Sequence, residues 1–250
     1  MNSSRTFQWT AAAIGWALLL IAAGVGFMGY RLFHADGPPA PARPVVSGST
    51  DKPTVTAPAL PLAADGTHSG PIEHALAPYS LLWEPGGDEG EKGVSGELSR
   101  EEVEAAAQEV LDQLATTTGA PRADAAEAMR QQGWNASAFR KYRGKSAAGE
   151  VRIQVTRMAP AAAKTANGNL RRVADPGTAP LDPGVTDADA WCAMRDENPE
   201  SGLISLTCGA VVGDVQVQFV ALGSYEGSVK TARVLFQEQV AHLRKGGAAA

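Results

Sequence analysis

Two cysteines are the residues of this sequence best placed to form a covalent bond. Cys192 and Cys208 are the only cysteines of the chain, and each lies in a short segment that can form a strand. A structural disulfide between them would close a loop of about 17 residues and stabilise the fold by roughly 3 kcal/mol. The alternatives are two free buried thiols or a redox pair, although a redox pair usually has a Cys-x-x-Cys spacing at the start of a helix. We predict the structural disulfide, which indicates an oxidising compartment outside the cytoplasm.

The pairing of the two cysteines follows from a turn signal at Gly213 and Asp214. These residues stand between apolar runs and favour a two-residue hairpin turn. A second turn in residues 196–202 returns the strand that begins at Trp191. Because side chains alternate between the two faces of a strand, the pairs predicted to lie opposite each other are Val212 with Val215, Ala210 with Val217, Cys208 with Phe219, Leu206 with Ala221, and Cys192 with Cys208. The last three strands should therefore form an antiparallel meander.

A group of cations is the second candidate site. Residues 122–172 carry eleven Lys or Arg against three Asp or Glu. The densest part, which we call the basic cluster, comprises Arg140, Lys141, Tyr142, Arg143 and Lys145. Several cations beside aromatic faces suit phosphate or uronate groups, so an anionic envelope polymer or a lipid headgroup would be the ligand, and we expect no nucleic-acid partner. The alternative, which the sequence favours, is a solvated basic loop balanced by the acidic helix before it.

Signatures of catalysis and metal binding are weak in this sequence. His242 has no Ser, Cys or Asp motif beside it, so a histidine-based acid–base or triad mechanism is poorly supported. His68 and His74 have no Cys or carboxylate at ligand spacing, and we interpret both as solvated. An enzyme would have to use carboxylates such as Asp187 and Asp189, which are more typical of a loop flanking a strand. We assign no catalytic residue, no metal site and no cofactor, and we lean towards a non-enzyme.

The first helix of the domain is predicted from residues that can cap its N-terminus. Ser99 and Glu102 form a capping box, and Leu98 can pack on Val103 as a hydrophobic staple. Apolar residues then follow at helical spacing, so this helix should run to about Thr116.

Further elements are predicted from periodicity and from helix-ending residues. Residues 123–132 predict a shorter helix, and residues 150–158 alternate as a strand with one buried face. Residues 159–184 are rich in Pro and Gly, and we interpret them as a disordered excursion. A closing helix at about residues 228–243 should cover one face of the sheet. Its apolar stripe consists of Val229, Ala232, Phe236, Val240 and Leu243.

The N-terminal part of the sequence predicts a membrane anchor. The stretch from Thr6 to Tyr30 has no charged residue. At about 1.5 Å per residue, the distance from Trp9 to Tyr30 spans roughly 30 Å as a helix, which matches the hydrocarbon core of a bilayer. A cleaved signal peptide is the alternative, but the run is long for a signal core and a poor cleavage site follows it. Flanking charges do not decide the orientation, whereas the short tail and the predicted disulfide favour a head outside the cytoplasm.

Composition divides the chain after the anchor into a linker and a head. Nine of the sixteen prolines lie between Ala35 and Pro78, among apolar residues without a period, which is typical of a disordered tether. The 250 residues leave room for one domain of roughly 150 residues. The abundance of Ala, Gly and Arg beside few Lys is typical of bacteria with GC-rich genomes. The predicted organisation is a tail (1–8), a transmembrane helix (9–33), a disordered linker (34–97), an extracytoplasmic domain (98–246) and a second tail (247–250).

These features together predict an α+β fold and a binding function. The head should be a small antiparallel sheet of about four strands packed against two or three helices. The expected function is that of a non-catalytic binding or sensing module, anchored in the membrane and displayed outside the cytoplasm. Its partners would be the lipid bilayer, through the stretch from Thr6 to Tyr30, and an envelope polymer or a membrane protein. The alternative is an anchored cell-envelope enzyme or an accessory subunit of an envelope enzyme complex.

Overall fold

The computed structural model is an α+β domain built on one antiparallel sheet. It describes residues 60–80, 82–86, 95–118, 122–145, 149–174, 178–186, 189–198 and 202–245. The strands are β1 (Trp83–Pro85), β2 (Ser95–Leu98), β3 (Ala136–Gly144), β4 (Gly149–Arg157), β5 (Ala179–Leu181), β6 (Trp191–Asn198), β7 (Leu203–Val212) and β8 (Val215–Ser224). The helices are α1 (Arg100–Thr118), α2 (Ala125–Gln131), α3 (Pro160–Ala174) and α4 (Tyr225–Lys245), and a 3-10 turn spans Ile72–Ala75.

The sheet is larger than the sequence predicted. Its eight strands follow the order β1-β3-β4-β8-β7-β6-β5, and β2 pairs with β3 on the same edge as β1. The prediction of about four strands missed β1, β2 and β5, which are only three or four residues long. It also missed β3, because the basic residues of that strand were interpreted as a loop. As a result β4 and β8 are central strands with a neighbour on each side.

The predicted meander of the last three strands is confirmed. The four pairs expected between β7 and β8 are in register, and Gly213 has the positive φ of 60° that a hairpin turn of this kind needs. In β6, Cys192 lies opposite Cys208. The two cysteines form the predicted disulfide.

One face of the sheet, which we call the inner face, carries the main core. Helix α4 lies across β7 and β8 on this face. Phe236 of α4 packs edge-to-face on Phe219 of β8, with 5.6 Å between the ring centroids. The buried strand residues of this face include Val151, Ile153, Val155, Leu206, Cys208, Ala210, Val215 and Val217. The predicted closing helix and its apolar stripe are thus present.

The opposite face, which we call the outer face, is covered by two separate helical layers. Helices α1 and α2 pack on each other, and Val103 and Met129 form a cluster with Phe139 of β3. The predicted capping box is present, because the backbone N–H of Ser99 donates to Oε2 of Glu102 at 2.8 Å. The reciprocal bond runs from the N–H of Glu102 to Oγ of Ser99 at 3.2 Å. The second layer, α3, contacts β6, β7 and β8.

Helix α3 lies where the sequence predicted a disordered excursion. Its first residue is Pro160. Proline is favoured at this position, because the N–H groups of the first helical turn have no acceptor within the helix and the N–H that proline lacks is therefore not missed. Ala163, Ala166 and Leu170 are buried against the sheet. Gly168, in the middle of this sequence, destabilises the helical conformation by about 1 kcal/mol relative to alanine. Packing on the outer face outweighs this local preference, which the sequence pattern alone could not reveal.

Residues 60–80 form a strap that shares the inner face with α4. Leu60, Ile72 and Leu76 of the strap are buried in the main core, and the 3-10 turn contacts β3 and β4. The composition of this segment predicts that it belongs to the disordered linker of residues 34–97. Its apolar residues have no regular period, yet they fill the part of the core that α4 leaves open.

A buried His68–Asp214 pair fastens the strap to the β7–β8 hairpin. Nδ1 of His68 lies 2.7 Å from Oδ1 of Asp214, and the backbone N–H of His68 donates to the same oxygen at 3.0 Å. Arg157 donates to the backbone carbonyls of His68 and Gly70. The prediction that His68 is solvated is therefore wrong, because the hairpin turn encloses its ring and supplies its partner.

Helix α4 holds the other end of the strap. The side chain of Gln239 accepts from the N–H of Ala77 at 2.8 Å and donates to the carbonyl of Ala75 at 2.6 Å. Nε2 of His242 donates to the carbonyl of His74 at 2.8 Å. The backbone groups that the 3-10 turn leaves unpaired thus bond to side chains of α4, as buried backbone groups require.

The predicted membrane anchor lies outside the residues that the structure describes. Within those residues, no helix combines the length and the apolar character needed to cross a bilayer. The stretch from Thr6 to Tyr30 therefore stays a prediction from hydropathy.

The strap gives a first testable prediction. Asp214→Ala removes the acceptor of two buried N–H donors of His68, so we expect the free energy of unfolding to fall by about 2–4 kcal/mol. Chemical denaturation of the purified chain measures this change. The control is Asp65→Ala, because Asp65 lies in the same strap but bonds only to its neighbour Thr67 at the surface. If both variants are as stable as the wild type, the His68–Asp214 pair does not hold the strap.

Candidate functional site

Polar side chains occupy the middle of the outer face, on the two central strands. They are Arg152, Gln154 and Thr156 of β4 and Gln216 and Gln218 of β8. Gln154 lies opposite Gln218, and Thr156 lies opposite Gln216, so these five side chains form a continuous surface, which we call the polar strip. The strip lies beside the α1–α2 layer, which packs on β3, and beside α3, which contacts β6, β7 and β8.

Helix α3 contributes one wall of the polar strip. Asn167 faces the β6 side, where its Oδ1 accepts from Nε1 of Trp191 at 3.0 Å and its Nδ2 donates to the carbonyl of Asp189. Asn169 follows two positions later, about 200° further round the helix. It therefore lies on the opposite flank of α3 from Asn167, and only 1% of its surface is exposed. Its Oδ1 accepts a hydrogen bond from Arg172.

The α1–α2 side contributes the other wall. Phe139 lies beside Gln154 in the register of β3 and β4. Nε1 of Trp134 donates to the hydroxyl of Ser137 at 3.1 Å, and the hydroxyls of Ser137 and Thr156 are 3.0 Å apart. The hydroxyl of Thr156 thus has its partner within the protein.

The rest of the strip holds buried polar atoms that have no hydrogen-bond partner in the part of the chain that the structure describes. These atoms are Nε of Arg152, Oε1 of Gln154, Nδ2 of Asn169 and Nε2 of Gln216. Gln154 and Gln216 are 7% and 6% exposed. A buried polar group without a partner costs about 1–3 kcal/mol, and such groups are rare in folded proteins. Four of them on two adjacent central strands and on the helix beside them indicate a site whose partner atoms come from outside the chain.

Arg152 is the charged residue of the strip. Its guanidinium carbon lies 5.3 Å from the ring centroid of Phe139, a cation–π contact. No carboxylate among the described residues pairs with it. Burial lowers the pKa of Arg152, but an arginine stays protonated because its ordinary pKa exceeds about 12. Its cross-strand neighbour on β3 is Lys141, so this end of the strip is positively charged.

The structure places two members of the basic cluster in the inner core. Arg140 and the hydroxyl of Tyr142 both donate to the carbonyl of Ala77 in the strap, each at 2.7 Å. Arg140 also lies over the ring of Tyr79, at 5.2 Å from its centroid. Burial raises the pKa of Tyr142 far above the ordinary tyrosine value. These two side chains hold the strap, and Tyr142 is fully buried whereas Arg140 is half-buried.

The other three members of the basic cluster lie elsewhere. Lys141 and Arg143 point to the outer face, because residues alternate along β3. Arg143 forms an ion pair with Glu150 of β4 at 3.6 Å, and Lys145 follows the end of the strand and is exposed. The structure therefore divides the cluster between the two faces instead of presenting one five-residue surface.

Titratable groups that could perform catalysis are not gathered at one place in the described ranges. No group of three His, Cys, Asp or Glu with metal-binding geometry occurs there. Nε2 of His68 is buried without a hydrogen-bond partner, so no described hydroxyl or thiol is bonded to the His68–Asp214 pair. Asp189 is exposed and lies 3.8 Å from Lys164, and Asp187 lies outside the described residues. Burial lowers the pKa of His242, whose ring holds the strap.

A separate recess opens on the inner face beside the start of α4. It encloses about 220 Å³, including the part open to solvent, and its lining includes Trp83, Val151, Leu206 and Val229. These side chains are apolar, so the recess lacks the converging acids that an acid–base enzyme would need.

Sequence reasoning did not identify the polar strip. Arg152, Gln154 and Thr156 were recognised as the polar side of an alternating strand and therefore as its solvent side. Gln216 and Gln218 alternate in the same way on β8. The missing information was the strand order, because only central strands under helices bury the polar side of an alternating pattern.

Comparisons with known proteins do not assign this chain to a family. No family model matches it, and no curated protein matches it. Part of the chain is similar to the crystal structure of the extracellular domain of PknH from Mycobacterium tuberculosis, with 14% sequence identity and a TM-score of 0.35. The similarity covers 51% of this chain and 74% of that domain. It is too distant to support an argument about fold or function.

The wall formed by α3 gives a second prediction. A Cβ at Gly209 of β7 would lie 2.3 Å from Oδ1 of Asn167 and 2.6 Å from Nε1 of Trp191. We expect Gly209→Ala to lower the free energy of unfolding by about 1–3 kcal/mol, because α3 must move away from the sheet. Denaturant unfolding provides the measurement.

The matched control for this prediction is Gly168→Ala. Gly168 lies on the exposed side of α3, and a Cβ there would meet nothing within 4 Å. We expect this variant to be more stable than the wild type by about 0.5–1 kcal/mol, as for other glycines inside helices. Equal stability of the two variants would contradict the close packing of α3 on β7.

Proposed function

We propose that this chain is a non-catalytic binding or sensing module that works outside the cytoplasm and binds its ligand at the polar strip. The observation that carries the proposal is the set of four buried polar atoms without partners at the strip. Natural proteins usually pair such atoms, and an unpaired group is tolerated where a ligand supplies the missing bond. The same four atoms would otherwise only destabilise the fold.

The location outside the cytoplasm is supported by the Cys192–Cys208 disulfide. Structural disulfides persist in oxidising compartments and are rare in the cytosol of most organisms. We propose further that the stretch from Thr6 to Tyr30 anchors the chain in the bilayer and that a proline-rich tether carries the domain. The hydropathy of that stretch and the composition of the tether support this arrangement.

The chemistry of the strip supports binding over catalysis. Its amides and hydroxyls do not titrate near neutral pH, and arginine stays protonated there. Such groups donate and accept hydrogen bonds, but they do not supply the exchangeable proton that acid–base catalysis needs. An anchored envelope enzyme would have to use Asp187 and Asp189, and the exposed position of Asp189 does not favour it.

We also propose that an anionic envelope polymer contacts part of the basic cluster, with three of its five residues. Lys141, Arg143 and Lys145 are directed to the outer face or to solvent, whereas Arg140 and Tyr142 bond to the strap. A polyanion would therefore contact Lys141, Arg143 and Lys145, at the edge of the sheet beside the polar strip.

The proposed location leads to a third prediction. Cells that produce the full chain are quenched in acid, and the denatured protein is treated with a bulky maleimide. We expect no addition without reductant and two additions after reduction, because the cysteines are paired in the cell. Cys208→Ser is the control, since it should leave Cys192 reactive without reductant. Reaction of both wild-type cysteines before reduction would contradict an oxidising location.

The proposed binding site leads to a fourth prediction. We expect Gln154→Met and Gln216→Met to leave the free energy of unfolding unchanged or to raise it by about 1 kcal/mol, because each removes an unpaired buried group. Gln239→Met should lower it by about 2–4 kcal/mol, because Gln239 bonds to two backbone groups of the strap. Thermal and denaturant unfolding of the full chain in detergent measure these differences.

Binding itself is tested on the same proteins with the low-mass fraction of an envelope extract as the probe. We expect this fraction to raise the unfolding temperature of the wild type, and the Gln154→Met, Gln216→Met double variant to lose the response. If the fraction has no effect on the wild type and both substitutions destabilise as strongly as Gln239→Met, the amides of the strip are structural and the proposed function is wrong.

A further inference from the structure

We propose that the polar strip binds a small acidic molecule, whose carboxylate or phosphate oxygens pair with Arg152 and accept hydrogen bonds from Gln216 and Asn169. This inference rests on the proposed binding function and adds the chemical class of the ligand. It is carried by the balance of donors and acceptors at the strip, by the charge at one end of it and by the burial of its floor.

The unpartnered atoms of the strip are mostly donors. Nε of Arg152, Nδ2 of Asn169 and Nε2 of Gln216 each carry a hydrogen without an acceptor, whereas Oε1 of Gln154 is the single acceptor among the four. A complementary ligand therefore presents several acceptor oxygens close together. One N–H or O–H group on the ligand would also pair with Gln154.

The charge at the strip favours an anion. The guanidinium of Arg152 has no ion-pair partner among the described residues, and its neighbour Lys141 has the same sign. The nearest acid in the register of β4 is Glu150, which pairs with Arg143. A half-buried cation without a counter-ion is less stable than a paired one, and a carboxylate or phosphate would supply the missing charge with two parallel hydrogen bonds to the guanidinium.

The surroundings of Arg152 favour a compact ligand and indicate its route of entry. The ring of Phe139 lies against one face of the guanidinium, which leaves less space for a ligand on that side. Gln154 and Gln216 are more than nine-tenths buried, which excludes a bulky polymer from that part of the strip. Arg152 and Lys141 are partly exposed, so a ligand can reach the strip from solvent at their end.

The experiment compares probes that share size but differ in charge. The full chain in detergent is heated with lactate, glycerol phosphate, glycerol or sodium chloride, and the salts are matched in ionic strength. We expect lactate or glycerol phosphate to raise the unfolding temperature and glycerol and sodium chloride to have no effect. A response to lactate identifies a carboxylate ligand, and a response to glycerol phosphate alone identifies a phosphate-bearing one.

Two substitutions of the same charge locate the site. Arg152→Gln should weaken binding of the responding anion by about tenfold to a hundredfold, the usual size of a lost charge-assisted hydrogen bond. Arg171→Gln, on the exposed side of α3, should bind as the wild type does. If Arg152→Gln does not fold, titration of the wild type with the Nε–H resonance of Arg152 as the readout replaces it, and an unmoved resonance overturns the inference.

Different results would contradict the anionic ligand and the binding function. Equal anion binding by Arg152→Gln and Arg171→Gln overturns the anion site and leaves the binding function standing. A response to glycerol that Gln154→Met abolishes and Arg152→Gln does not also overturns the anionic ligand, because the strip would then bind a neutral molecule. No response to any probe, together with strong destabilisation by Gln154→Met, overturns both proposals.

Discussion

The fold depends on the two-residue turn at Gly213 and Asp214, because this turn fixes the register of β7 and β8. A shift of one residue would move the apolar side chains of the shifted strand to the opposite face of the sheet. The register places the apolar residues of β8 under α4 and its glutamines on the opposite face. It also brings Cys208 opposite Phe219, on the face that α4 covers. The turn itself carries the carboxylate that holds His68, and a Cβ at Gly213 would collide with the carbonyl of Gly66 in the strap.

The inner face of the sheet holds the main core, whereas the outer face holds the candidate binding site. The inner face is an apolar core that α4 and the strap cover, so it provides stability, although Nε1 of Trp83 and the hydroxyl of Tyr79 are also buried there without a partner among the described residues. The outer face has helices at both sides and polar side chains between them, with unpaired atoms on Gln154 and Gln216. A sequence under selection for stability alone would replace these amides with apolar residues of similar volume. Their presence is a local conflict of the kind that functional sites impose on a fold.

Local signals in the sequence were sufficient for the elements that depend on nearby residues. The hairpin turn, the Ser99–Glu102 capping box and the stripe of α4 are encoded within a few positions, and all three are present in the structure. The strap and α3 were not predicted, because their stability comes from distant partners. His68 illustrates the limit, since its partner Asp214 lies 146 residues away. The polar strip was hidden for the same reason, because its burial depends on the strand order.

The strap also sets an order of events in folding. It precedes every other described element in the chain, but its partners come late. Gln239 lies 164 residues beyond Ala75 and His242 lies 168 residues beyond His74. Contacts across such separations form slowly, because a long loop must close first. The hairpin and α4 are local structures that can form as soon as they are synthesised. Of the described segments, the one synthesised first therefore docks last, and the part of the inner face that it covers stays open until α4 has been synthesised.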